Sequence, residues 1–174
     1  MRRVLKPGGM LICAEPNNLA GTLVQSSLTD TQSLAQRVDD FRWELGFQLG
    51  KIAAGRGDIS LGDKLAWLFQ QVGFVEVRCY LSDKASPLIP PYAGAEQTAN
   101  LALLQQMLSD AEQPYIEQEA EEYLHALACP EQARFTAEYL AQREAQRQMI
   151  LQQLAEKRFW TGGASVTYLV SAQR

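Results

Sequence analysis

The residues best suited to hold a small molecule stand together at Glu15-Pro16-Asn17-Asn18, directly after the apolar run Met10-Leu11-Ile12-Cys13-Ala14. A carboxylate and two amides supply donors and acceptors for a polar ligand. Their position adds to the case, because open α/β sheets bind ligands beyond the carboxyl ends of their strands. The same residues also suit a plain turn, since Pro and Asn favour turns and Asn18 is a fitting cap for a following helix. From the residues alone both readings stand. Tyr92, with Trp43, Phe47 and Trp160, forms a second candidate set. Aromatic walls suit small-molecule clefts, although aromatic side chains more often serve simply as core.

Other chemistry-bearing residues are sparse. His125 is the only histidine, beside Leu124 and Leu127 on an expected helix, and no acid partner is placed by sequence. It reads as a half-exposed structural side chain rather than a catalytic base. Cys13, Cys79 and Cys129 are far apart and unpaired in spacing, which argues against a zinc site or a disulfide framework. Cys13 and Cys79 fall in apolar runs and are expected in the core. Arg56-Gly57-Asp58 reads as a loop, and Glu117 to Glu122 as a solvated helix face. The net charge of −4 gives no electrostatic reason to expect nucleic acid as a partner. Apolar runs are far too short for a membrane span, no secretion signal is visible, and the cytoplasm is the simplest compartment.

The elements that would position these residues alternate between strand and helix. Gly8-Gly9 turns the chain into a strand at 10–14. A largely helical stretch at 19–54 follows, in which Leu34, Val38, Phe41, Leu45 and Leu49 recur by three or four as a buried face requires. Ser60 reads as an N-cap, with Asp63 in the first turn. Leu61, Leu65, Leu68, Phe69 and Val72 then form an apolar stripe that ends at Gly73. Residues 74–81 resume as a strand. After Pro87, Pro90 and Pro91, helices are expected near 95–110, 114–127 and 131–157. Gly162-Gly163 precedes a β-branched final strand at 165–172. No repeat or long linker divides the chain, so 1–174 reads as one domain with helical inserts at about 19–54 and 87–160.

Leu5-Lys6-Pro7-Gly8-Gly9 before an apolar strand, the helix closing in Gly73-Phe74 before a second strand, and the terminal strand together resemble the C-terminal half of a class I, Rossmann-like S-adenosylmethionine-dependent methyltransferase. The stretch from Gly55 to Tyr92 is similar to a bacterial type with helices added around the acceptor site. The resemblance covers roughly a third of the chain. It implies an α/β fold in which 10–14, 74–81 and 165–172 are the fifth, sixth and seventh strands. The last is expected antiparallel between the other two. It also implies S-adenosylmethionine as cofactor and a small-molecule methyl acceptor on the side of Glu15, Asn17, Asn18 and Tyr92. The family's Gly-rich turn after a first strand has no counterpart, since Gly55-Arg56-Gly57-Asp58 follows a helical stretch. The chain thus reads as the second half of an enzyme. Alone it is expected to bind the cofactor weakly, to be inactive and to self-associate through an open sheet edge. The alternative is a non-catalytic binding or self-assembling module derived from the same fold.

Overall fold

The computed structural model describes residues 2–82, 85–127, 132–163 and 166–174. In chain order its elements are β1 (Met10–Pro16), α1 (Leu34–Ala53), α2 (Leu65–Gln71), β2 (Val75–Leu81), α3 (Ala95–Met107), α4 (Gln113–Ala126), α5 (Gln132–Ala155) and β3 (Thr167–Gln173). Short 3-10 turns lie at Arg2–Val4, Asn18–Leu23, Thr29–Thr31 and Gly62–Lys64. Ser165, Glu131 and Cys129 lie outside the described residues. The chain clusters into two units, a sheet unit (1–21, 59–84, 165–174) and a helical unit (22–58, 85–164).

The sheet unit is a three-stranded sheet in the order β1–β3–β2, with β3 antiparallel to both neighbours. The Gly8-Gly9 turn is tied to the C-terminus: Gly8 N–H donates to the Arg174 carbonyl at 3.1 Å, and Arg174 N–H to the Gly9 carbonyl at 2.9 Å. Strand alternation sends Leu11 and Cys13 toward the core and leaves Met10 and Ile12 exposed. The core is Leu65, Phe69, Phe74, Val170 and Ala172. Val170 is fully buried, a contribution of about 2 kcal/mol for a side chain of its size. Phe69 and Phe74 bracket the left-handed Gly73 (φ 82°) and pack with ring centroids 5.3 Å apart.

Two expectations for this unit are corrected. Ser60 does not cap a helix: α2 begins at Leu65 without a side-chain cap, and the buried Ser60 hydroxyl accepts from Leu19 N–H at 3.0 Å. Buried hydroxyls are hydrogen-bonded, and the one on Ser60 accepts from a backbone N–H of the turn after β1. Cys79 is not core either. It faces solvent on the edge strand β2. The register slips between Val75 and Arg78, and Glu76 sits at φ 49°. Such a bulge re-aims side chains relative to simple alternation. Val77 still packs on the core, whereas Val75, Tyr80 and Leu81 are exposed.

In the helical unit α1 starts at a capping box, with Ser33 and Gln36 exchanging side-chain and backbone bonds. Its expected buried face is corrected as well. Leu34 (81% exposed), Val38, Phe41 and Leu49 lie outward and Leu45 is half-buried, while Gly46, Gln48 and Gly50 are buried. Gly46 and Gly50 lie one turn apart and bring α1 against α4. A Cβ at Gly50 would overlap the Tyr123 carbonyl, and one at Gly46 would stand 2.6 Å from the Phe135 ring. Ala120, Leu124 and Tyr139 form the core here, with Trp43, Phe47 and Phe135 packed on it. Phe47 meets Tyr123 edge-on at 5.1 Å and stacks on Tyr139 at 5.9 Å.

Candidate functional site

At the end of β1, Asn17 is committed to structure. Its backbone N–H donates to the Val166 carbonyl at 2.7 Å. Its side-chain oxygen accepts from Ala20 N–H at 3.2 Å, and its amide donates to Asp63 Oδ2 at 3.2 Å. Asn17, three residues ahead of Ala20, therefore fills the capping role suggested for Asn18. The 3-10 turn carrying Asp63 reaches this point because residue 62 is glycine. A Cβ there would stand 2.6 Å from the Glu15 carbonyl and 2.7 Å from the Tyr168 ring. Glu15 is half-buried opposite Tyr168 of β3, and Asn18 is exposed, its backbone N–H donating to the Ile59 carbonyl at 3.4 Å. Among the described residues no hydrogen bond engages the Glu15 carboxylate or the Asn18 amide, which leaves one acceptor group and one donor–acceptor group for a ligand. Cys13 lies two residues before Glu15. Burial pushes its thiol up and the Glu15 carboxylate adds to the shift, so it is held as a thiol rather than a thiolate.

Tyr92 belongs to the helical unit. It is buried, with φ 63°, and its hydroxyl donates to the Phe159 carbonyl at 2.9 Å. Burial pushes its phenol up. Its ring packs with Leu88 and Phe159 and lines a cavity of about 320 Å³ with Leu101, Gln105, Leu151, Leu154, Ala155 and Lys157. Apart from Tyr92, sequence reasoning named none of this lining. Residues 101/105 on α3 and 151/154/155 on α5 lie at helical spacing, but neither helix carries a clear apolar stripe in its sequence, so no local signal marked them as lining.

The remaining candidates take structural roles. Trp43 and Phe47 pack on the core, and Trp160 is half-buried, its backbone N–H donating to the Ser27 hydroxyl at 3.3 Å. His125 is exposed on the last turn of α4. Arg56 pairs with Glu122 at 2.8 Å, and Asp58 accepts from the buried Gln48, so both ends of that loop tripeptide are engaged. Glu117, Glu119, Glu121 and Glu122 are exposed around a buried Ala120. Another polar cluster escaped the sequence reading: Asp40 accepts side-chain amide bonds from Gln32 (2.7 Å), Gln146 (3.0 Å) and Gln142 (3.3 Å), tying α1 to α5. Among the described residues no group of three His, Cys, Asp or Glu is arranged to hold a metal, and no helix is long and apolar enough to cross a membrane. Compared with protein-family models and with curated proteins, the chain matches none.

Proposed function

We propose that the sheet unit is the acceptor-side, C-terminal portion of an S-adenosylmethionine-dependent methyltransferase fold. The observation that carries this reading is the strand order β1–β3–β2 with β3 antiparallel to both neighbours. That is the arrangement the resemblance implies for a fifth, seventh and sixth strand. The tight Leu5–Gly9 turn before β1 and the passage from α2 through Gly73 into β2 agree with it. Methyl transfer from a sulfonium needs alignment more than a strong acid or base. In this reading Glu15 and Asn18 orient a small polar acceptor at the end of β1, and Asn17 holds that end in shape.

The residues present do not fit the cofactor. Gly55 and Gly57 follow helix α1 rather than a strand, and Asp58 is taken by Gln48. A sulfonium nucleoside placed there would leave polar groups without partners. This chain therefore contributes acceptor contacts and not the cofactor site. The experiment is calorimetric titration of S-adenosylmethionine into the chain alone and into the polypeptide extended by the reading frame upstream of Met1. The expected outcome is no detectable binding by the chain alone, and micromolar binding by an extended chain that carries a Gly-rich turn. Micromolar binding by the chain alone, or an upstream frame without such a turn, overturns the proposal.

A second reading, a self-assembling module without catalysis, draws on the exposed apolar residues of the sheet: Met10, Ile12, Val75, Tyr80 and Leu169. Edge strands with apolar flanks invite pairing with another chain.

A further inference from the structure

We infer that the cavity in the helical unit is a binding site for a medium-chain carboxylic acid: an apolar body with one anionic head. The inference is carried by the helical unit alone and stands whether or not the methyl-transfer reading does. Its volume, about 320 Å³, lies at the lower end of the range for small-molecule sites. Its lining is graded. Tyr92 is buried and turns its hydroxyl away to the Phe159 carbonyl, so it offers the cavity an aromatic surface. Leu101, Leu151 and Leu154 are half-buried and complete an apolar floor. Gln105, Ala155 and Lys157 are exposed, which places them at the mouth.

The mouth has the chemistry for an anion. Lys157 carries no ion pair and Gln105 no side-chain hydrogen bond among the described residues, although Glu156 beside Lys157 is taken by Arg158. Lys157 is held in place by its backbone. Its N–H donates to the Leu154 carbonyl at 3.1 Å, and at φ 53° it closes α5 in the left-handed conformation usually given to glycine. An ammonium and an amide over an aliphatic floor fit a carboxylate head and a hydrocarbon tail, whereas a polar body would be stripped of water without recompense.

The test uses the full chain, octanoate and octanol as probes, and titration calorimetry. Saturable one-to-one binding of octanoate is expected. Ala155→Trp, at an exposed helical position, should block the mouth and weaken both probes by about tenfold or more. Lys157→Asn removes the charge with a residue that tolerates the left-handed backbone. It should weaken octanoate about two- to fivefold, as an exposed ion pair would, and leave octanol unchanged. No saturable binding of octanoate, or binding that Ala155→Trp leaves unchanged, overturns the site. Equal affinity for the two probes, insensitive to Lys157→Asn, overturns the assignment of an anionic ligand.

Discussion

Asn17 and Asn18 are neighbours of one residue type with different work. The Asn17 side chain closes two bonds, to Ala20 and to Asp63, while that of Asn18 is exposed. Asn17→Ala should destabilise the chain by about 1 kcal/mol, the usual cost of a lost cap, in urea unfolding. Asn18→Ala should stay within about 0.5 kcal/mol, as surface substitutions do. Equal effects would mean that the Asn17 bonds hold nothing. The two strand cysteines, Cys13 and Cys79, differ in a similar way. Cys13 is half-buried and its thiol is pushed up by burial and by Glu15, whereas Cys79 is exposed. The thiolate is the reactive form, so near pH 8 Cys13 should be alkylated by iodoacetamide more slowly than Cys79. Peptide mapping by mass gives the two rates, and faster labelling of Cys13 would contradict the placement. None of this was legible in sequence, where Asn17-Asn18 is a symmetrical pair and both cysteines sit in apolar runs.

Helix α1 was legible as a helix but not in its orientation. A stripe of Leu and Val at helical spacing normally marks the buried face. Here Gly46 and Gly50 decide instead, because a side without Cβ atoms allows the closest approach to α4. Gly50→Ala should therefore cost about 1–3 kcal/mol or more, since neither the Tyr123 carbonyl nor the helix can yield freely. Gly21→Ala, where an added Cβ meets nothing within 4 Å, is the control. Thermal unfolding of the two variants separates them, and similar melting temperatures would rule out close helix contact. The strands were more legible. β1 and β3 fall within about two residues of their expected bounds, because alternating or β-branched runs between glycines leave little choice. The bulge in β2 was not, since it depends on pairing with β3.

For the whole molecule, the sheet unit has open edges at β1 and β2 among the described residues. The proposed self-association belongs at this scale. Leu11 packs on the core, so a charge there would test folding rather than assembly. Ile12 is 67% exposed on the outer face, and Ile12→Lys should leave the fold intact while lowering the concentration-dependent mass seen by light scattering. A monomer before and after the change would sink the idea of pairing through this edge. The sequence by itself determined where the three strands and the main helices fall and where Gly73 ends one and starts the next. Those features depend on neighbours within a few residues, where spacing, turn chemistry and β-branching act directly. Only the tertiary structure decided which side of α1 is buried, that Ser60 serves Leu19, that Asp40 collects three glutamines, and that Tyr92 lines a cavity with residues from α3 and α5. Those depend on partners far along the chain, brought together by packing that no local pattern records.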